Sequence, residues 1–114
     1  MFLSVTQSVG YTGEQSAEVF AKFLDRHDIV VVKYDAEWCE TCRDVESILE
    51  QFSELHPDIF MLKVDINEFP LVKNWAKIKA IPMVIMYRNG KMREFVYGKQ
   101  PLEKYEEKLR RALR

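Results

Sequence analysis

Residues 29–42 read IVVVKYDAEWCETC, an apolar run followed closely by two cysteines at C-x-x-C spacing. The apolar run predicts a buried strand. Beyond the second cysteine, apolar residues recur at the spacing of one helix face; they are Val45, Ile48, Leu49, Phe52 and Leu55. A C-x-x-C between a strand and a helix is the setting in which this common tetrapeptide indicates a redox-active pair.

The two cysteines lie where the helix is expected to begin. A cysteine in a first helical turn faces unpaired backbone N–H groups and the positive end of the helix dipole, and both favour the thiolate. Because residues three apart share a helix face, Cys39 and Cys42 can close a small disulfide ring. Cys42 is in register with the apolar stripe, so we expect its sulfur to face the interior and Cys39 to lie at the exposed tip.

Two structural explanations compete with the redox interpretation of the cysteines. A tetrahedral zinc site needs four ligands, and the only histidines, His27 and His56, lack the close spacing of a zinc-binding pair. A purely structural disulfide gains little from closing so short a loop. Metal shared between two copies of the chain remains an alternative.

The composition predicts one domain, residues 1–114. Lys+Arg 17 against Asp+Glu 18 gives a formal net charge of −1, which argues against nucleic acid or an anionic membrane as a partner. No apolar run reaches the length of a membrane span. Met1–Thr6 lacks the basic and apolar regions of a signal peptide, although a signal removed earlier would leave no trace. We therefore expect a cytoplasmic protein, in which a C-x-x-C is more often catalytic than structural.

Strand and helix signals alternate along the chain in the order β-α-β-α-β-α-β-β-α. Strands are expected at Phe2–Val9, Ile29–Tyr34, Ile59–Val64, Ile81–Tyr87 and Lys91–Tyr97. Helices are expected to start at Thr12–Gln15, after the cysteines, at Pro70 and at Pro101. Asn89-Gly90 predicts a hairpin, and in the strand that returns from it we expect Met92 or Phe95, together with Tyr97, to face the core. This order predicts an α/β fold, a mixed five-stranded sheet with helices on both faces.

Several short motifs occur in the order and at about the spacing of the thioredoxin family, over nearly the whole chain. They are Ala36-Glu37-Trp38-Cys39-x-x-Cys42, Val64-Asp65 with Pro70 downstream, Ala80-Ile81-Pro82, Asn89-Gly90 and Gly98. The chain thus resembles a thioredoxin, which implies the thioredoxin fold and a thiol–disulfide oxidoreductase. We accordingly expect disulfide-containing protein substrates, a thioredoxin-reductase-type or other dithiol electron donor, a monomer, and neither a cofactor nor a metal.

The resemblance also implies roles for the matching residues. Cys39 corresponds to the attacking thiolate and Cys42 to the resolving thiol. Pro82 corresponds to a cis-proline that faces the disulfide, which would bring the backbone of Ile81 beside Cys39 to pair with an extended substrate. Trp38 corresponds to the tryptophan that forms a flat apolar shoulder next to the attacking sulfur.

Four features of the sequence depart from the family pattern. Glu40-Thr41 replaces the usual Gly-Pro, Met61 replaces a lysine, Met83 replaces a threonine, and Lys33 replaces a buried acid six residues before the first cysteine. The Glu40 carboxylate disfavours a thiolate on Cys39, and Arg43 partly offsets it. Loss of the proline loosens the turn between the cysteines. We expect these changes to alter the redox potential and the substrate preference and to leave the dithiol chemistry intact.

Lys33 allows two interpretations. Its ammonium could stabilise a thiolate by charge, or act as a base if burial lowers its pKa. Alternatively, its stem packs and its ammonium reaches solvent. Asp35 lies two residues further along the same strand face and could pair with Lys33.

Three functions are compatible with these residues. The first is a thiol–disulfide oxidoreductase that reduces or exchanges protein disulfides through Cys39 and Cys42. The second is a redox-sensing adaptor in which the cysteines only report oxidation. The third is a dimeric carrier of metal or an iron–sulfur cluster.

Overall fold

The computed structural model of the chain describes the backbone of residues 2–4 and, further on, residues 16–114. Its elements are β1 (Phe2–Ser4), α1 (Ser16–Asp25), β2 (Ile29–Asp35), α2 (Glu40–Leu55), β3 (Phe60–Asp65), α3 (Pro70–Ala76), β4 (Met83–Arg88), β5 (Lys91–Tyr97) and α4 (Leu102–Ala112). The remainder of the first predicted strand, residues 5–9, and the predicted helix start at Thr12–Gln15 lie outside the described residues.

The strands form a mixed sheet in the order β1-β3-β2-β4-β5. β3 runs parallel to β1 and β2, and β4 runs antiparallel to β2 and β5. The longer strands β2 to β5 form its body, and the three-residue β1 extends it to five. Asn89 and Gly90 join β4 to β5 with φ angles of 51° and 85°, the positive values that a tight hairpin turn requires.

Helices cover both faces of this sheet, so the predicted α/β class is confirmed. Helices α1 and α3 pack on one face around Phe20, Leu24, Val30, Val32, Tyr34, Val64, Phe69 and Val72. Helices α2 and α4 pack on the other face around Val31, Val45, Leu49, Phe52, Met61, Val84, Val96, Tyr105 and Leu109. The alternation of buried residues along β2 between the two sets explains why its apolar run is nearly continuous.

Strand β5 faces the core with a different residue from those expected. Val96 is buried against α4, whereas Met92, Phe95 and Tyr97 are each about half exposed. The prediction was wrong because it assumed that the bulkier residues of the strand point inward. Val96 is paired with Val84, and both pack in the core that α4 covers. The side of β5 that faces this core is therefore the side that carries Val96, opposite to the side of Phe95 and Tyr97.

The fold brings three segments together at one end of the sheet. β2 ends at Asp35, a short connection leads to the start of α2 at Glu40, and β4 begins just after Pro82. The Ile81–Pro82 peptide bond is cis, as expected, and the backbone N–H of Gly98 donates to the Pro82 carbonyl at 2.9 Å. Among the described residues, none of the helices combines the length and apolar character that crossing a membrane requires.

Candidate functional site

The cysteines lie at the N-terminus of α2 and are joined by a disulfide bond. Cys39 is the N-cap residue, with extended backbone at φ −92° and ψ 109°. Its Sγ accepts a hydrogen bond from the backbone N–H of Cys42 at 3.2 Å. The sulfur of Cys39 thus takes the place of a capping oxygen, where a free N–H and the helix dipole both favour negative charge.

Exposure differs among the three residues at this tip. Trp38 is 68% exposed, Cys39 is 8% exposed and Cys42 is 2% exposed. The expectation that Cys42 faces the interior is confirmed. Cys39 is less exposed than expected, because Ala36 and the partly buried Ile66 and Ile81 pack around the disulfide.

The expected substrate-binding residues lie on the same side of the fold. Ile81 is half-buried and packs against the cysteines, and Pro82 is buried directly after it. Trp38 stands next to Cys39 in the chain with most of its surface in solvent. The structure therefore brings an apolar shoulder and the cis-proline segment to the disulfide.

A polar pocket of about 530 Å³ lies beside the inner cysteine. It is lined by Lys33, Asp35, Ala36, Glu37, Cys42, Arg43, Glu46, Lys63, Asp65 and Glu68. Eight of these ten residues carry charge. The lining includes Cys42 and does not include Cys39. The charged side chains of the pocket therefore lie on the side of the disulfide where Cys42 is buried.

Lys33 lies at the bottom of this pocket. It is 1% exposed, and its Nζ lies 2.7 Å from Oδ2 of Asp35. The predicted pairing with Asp35 is confirmed, and the alternative in which the ammonium reaches solvent is wrong. The contact is a close ion pair between two buried side chains.

Glu46 is a pocket residue that sequence reasoning missed. Its carboxylate receives a hydrogen bond from Lys63 Nζ at 2.9 Å and lies 3.9 Å from Lys33 Nζ. Both Glu46 and Lys63 are about one-third exposed, so the pair lies between the buried ion pair and solvent. One signal in the sequence could have found it, since Glu46 follows Cys42 by one helical turn and so shares its helix face.

The pocket alters the protonation of two groups. Burial raises the pKa of Asp35 above its ordinary value of 3.8, against the opposing effect of the Lys33 ammonium. Burial lowers the pKa of Lys63, but the hydrogen bond and charge of Glu46 outweigh it and the net pKa is raised above 10.5. Asp35 is therefore a stronger base than an exposed aspartate, and Lys63 stays protonated to a higher pH than an exposed lysine.

The other predicted modulating residues lie at the rim. Glu40 and Thr41 are exposed in the first turn of α2. Arg43 is also exposed and donates from its guanidinium to the backbone carbonyl of Glu37 at 3.4 Å. This hydrogen bond links the first turns of α2 to the segment between β2 and α2.

Neither histidine takes part in the site. His27 Nδ1 lies 2.7 Å from the Phe23 carbonyl, and His56 Nε2 lies 2.8 Å from the Glu106 carboxylate. In the part of the chain that the structure describes, no three His, Cys, Asp or Glu side chains form a group that could hold a metal ion.

The chain is similar to known proteins in both sequence and fold. The Thioredoxin family model matches residues 11–111. Thioredoxin-1 of Saccharomyces cerevisiae is 30% identical over 87 residues, which are 76% of this chain and 84% of that protein. Thioredoxin-2 of Pyricularia oryzae is 30% identical over 86 residues, 75% of this chain but 50% of that longer protein. The crystal structure of thioredoxin from Trypanosoma brucei brucei superposes with a TM-score of 0.80 at 24% identity, covering 96% of this chain and 88% of that one.

Proposed function

Because this chain belongs to the thioredoxin family of thiol–disulfide oxidoreductases, we propose that it reduces or exchanges protein disulfides by attack from Cys39. The single observation that carries this order is the position of the Cys39 sulfur at the N-cap of α2, with the Cys42 N–H donating to it. The same interactions stabilise a thiolate when the pair is reduced. Cys42, more deeply buried in the helix, then acts as the resolving thiol.

The exchange takes two balanced steps. The Cys39 thiolate attacks one sulfur of the substrate disulfide, forming a mixed disulfide and releasing the other substrate sulfur as a thiolate that takes up a proton. Cys42 then loses its proton and attacks the Cys39 sulfur, which breaks the mixed disulfide and releases the second substrate thiol. The substrate gains two electrons, and the protein ends with the Cys39–Cys42 disulfide that the structure contains.

Substrate binding is assigned to Trp38, Ile81 and Pro82. Trp38 offers a large exposed apolar surface beside Cys39, and Ile81 packs against the cysteines from the neighbouring segment. An extended substrate chain lying between them would place its disulfide at the attacking sulfur. Tryptophan is enriched among the interface residues that carry most of the binding energy.

Replacing Trp38 by alanine is expected to raise KM for a protein disulfide by about tenfold, or about 1.4 kcal/mol of binding, with little change in kcat. The measurement is steady-state reduction of insulin disulfides. Leu55→Ala is the matched control, since Leu55 is also exposed but lies at the opposite end of α2. Equal effects of the two substitutions would remove Trp38 from the binding surface.

Glu40 and Thr41 are expected to make the protein a weaker reductant than a relative with Gly-Pro between the cysteines. Proline at the second position restricts the turn, and this effect is expected to exceed the opposing effect of the Glu40 carboxylate. Glu40→Gly/Thr41→Pro should therefore lower the reduction potential by at least about 30 mV, a tenfold change in the equilibrium constant. Equilibration against a glutathione redox buffer measures it, and an unchanged or higher potential would refute this assignment.

Insulin reduction by dithiothreitol tests the proposed activity against the alternative of a redox-sensing adaptor. An oxidoreductase accelerates the reaction at substoichiometric protein concentration and turns over repeatedly. An adaptor becomes oxidised once and gives no turnover. The absence of turnover in wild-type protein would therefore reject the proposed activity.

The remaining assignments concern the setting of the reaction. We propose that residues 1–114 act as one domain and a monomer, reduced by a thioredoxin-reductase-type or other dithiol donor, without binding nucleic acid or membrane. The formal net charge of −1 supports the last point. A cytoplasmic location is proposed as well, and cell fractionation tests it, since the structural neighbours include Mitochondrial Thioredoxin 3 from Saccharomyces cerevisiae.

A further inference from the structure

Strand β5 lies at one edge of the sheet, and α4 covers one of its two faces. On that face Val96 is buried, and Glu94 forms an ion pair with Lys108 of α4 at 3.3 Å. On the opposite face the covering helices reach as far as β4, where Trp75 of α3 stacks on Tyr87 with ring centroids 6.0 Å apart. The cover stops there, since the β5 side chains on that face are about half exposed.

Two bulky side chains of β5 lie on this open face. Phe95 is paired with Ile85, and Tyr97 is paired with Met83. Both partners on β4 pack on the side of the sheet where α1 and α3 lie. Because paired residues of neighbouring strands share a face, Phe95 and Tyr97 point to that side as well.

A β-bulge adds Met92 to the same face. In a regular strand Met92 would lie on the opposite side from Phe95, because the two are three residues apart. The register shifts between Met86 and Tyr87, and Met92 is therefore the partner of Tyr87. Met92 is 56% exposed and joins Phe95 and Tyr97 in one apolar row. These three residues are called the β5 stripe below.

The β5 stripe begins beside the segment assigned to substrate binding. Tyr97 is the register partner of Met83, which directly follows Pro82. The backbone N–H of Gly98 donates to the Pro82 carbonyl at 2.9 Å, which holds the two segments together. Met83 is half-buried and replaces a threonine of the family pattern, so the junction is apolar. From Tyr97 the stripe runs away from the disulfide for about 15 Å, since a strand advances about 3.3 Å per residue.

We propose that the β5 stripe extends the substrate-binding surface and selects disulfides that a protein carries beside an apolar segment. This inference rests on the proposed function, because it names the class of substrate that the same site takes. The apolar segment lies across Tyr97 and Phe95 while its disulfide reaches Cys39. A small disulfide without such a segment also reaches Cys39 but leaves the stripe uncovered.

The size of the β5 stripe fits a transient substrate and not a second copy of the chain. About half of each of its three large side chains is exposed, which amounts to roughly 300 Å². An apolar patch of this size on a monomer is often functional. A stable dimer needs about 800 Å² on each partner, whereas transient redox contacts are smaller. The stripe therefore adds affinity beside the disulfide without holding the product.

The test compares two substrates, insulin and oxidised glutathione, each mixed with fully reduced protein and quenched with acid at successive times. No other reductant is present, so an electron donor plays no part in the rates. Phe95→Thr and the double variant Met92→Thr/Phe95→Thr keep residues that suit a strand and remove apolar surface. In the double variant we expect the rate constant for insulin, relative to that for oxidised glutathione, to fall about tenfold. In Phe95→Thr the fall should be smaller.

Phe60→Thr is the matched control, because it makes the same change at another exposed strand residue. Phe60 begins β3 at the end of the sheet opposite to Cys39, and its substitution should leave the ratio of the two rate constants unchanged. An unchanged ratio in the double variant, or an equal fall in Phe60→Thr, would overturn the role of the β5 stripe. A wild-type dimer that sedimentation shows to become a monomer in the double variant would also overturn it. Wild-type protein that reduces neither substrate would reject the proposed function itself.

Discussion

Replacing Cys39 by serine is expected to abolish disulfide turnover, whereas replacing Cys42 by serine is expected to leave a stable mixed disulfide with the substrate. Cys39 carries the sulfur at the helix N-cap, and we propose that it makes the first attack. Cys42 is more deeply buried and is proposed to make the second attack, so without Cys42 nothing would remain to release the substrate. Insulin reduction measures the first effect, and non-reducing mass spectrometry measures the second.

Alkylation kinetics provide an independent check on this order. In the reduced wild-type protein at neutral pH, iodoacetamide should label Cys39 faster than Cys42, because Cys39 receives an N–H hydrogen bond at the helix start. Faster labelling of Cys42, or a mixed disulfide that accumulates in Cys39→Ser instead of Cys42→Ser, would reverse the assigned roles.

Replacing Lys33 by methionine is expected to lower the free energy of unfolding by about 3 kcal/mol at pH 7, because it leaves the Asp35 carboxylate buried without its partner. The sequence alone predicts little loss, since a lysine stem can pack as methionine does. The 2.7 Å contact with Asp35 at a fully buried position reverses that expectation. Urea denaturation followed by circular dichroism measures the change.

The pH dependence of this loss has a definite sign. The pKa of Asp35 is already raised in the folded protein, and removing Lys33 raises it further. A group with a raised folded pKa contributes stability that is fully present below its unfolded pKa and is lost as the pH rises through its folded pKa. The deficit of Lys33→Met should therefore grow from acidic to neutral pH.

Two controls separate the buried pair from a general effect of lost charge. Lys22→Met breaks an exposed contact with Glu18 and should cost less than about 0.5 kcal/mol. The double variant Lys33→Met/Asp35→Leu removes both charges and should recover much of the loss. A stability of Lys33→Met within about 0.5 kcal/mol of wild type at every pH would contradict the account of the buried pair.

The local parts of the fold and site were predictable from the sequence because they depend on residues close together in the chain. The apolar run of β2, the C-x-x-C and the apolar stripe of α2 form one continuous segment. The cis bond at Pro82 followed from the family motif order, and the hairpin followed from Asn89-Gly90. Each of these features can be predicted from residues that are adjacent in the sequence.

The charged pocket was not predictable because it depends on register between distant segments. Lys33 and Lys63 become neighbours only through the parallel pairing of β2 with β3. Glu46 reaches them only because α2 crosses that part of the sheet. The inward face of β5 was mispredicted for the same reason, since the packing of α4 on Val96 decides it. Sequence spacing places Glu46 on the same face of α2 as Cys42, but it does not tell which residues of the strands that face meets.

The most direct test of the oxidoreductase assignment is a single stoichiometric reaction between fully reduced protein and insulin, without any other reductant, quenched with acid and analysed by intact mass. We predict that the protein loses two hydrogens, that peptide mapping places its new disulfide between Cys39 and Cys42, and that an equivalent insulin disulfide appears as two thiols. Reduced protein that stays a dithiol while insulin remains intact would contradict the account.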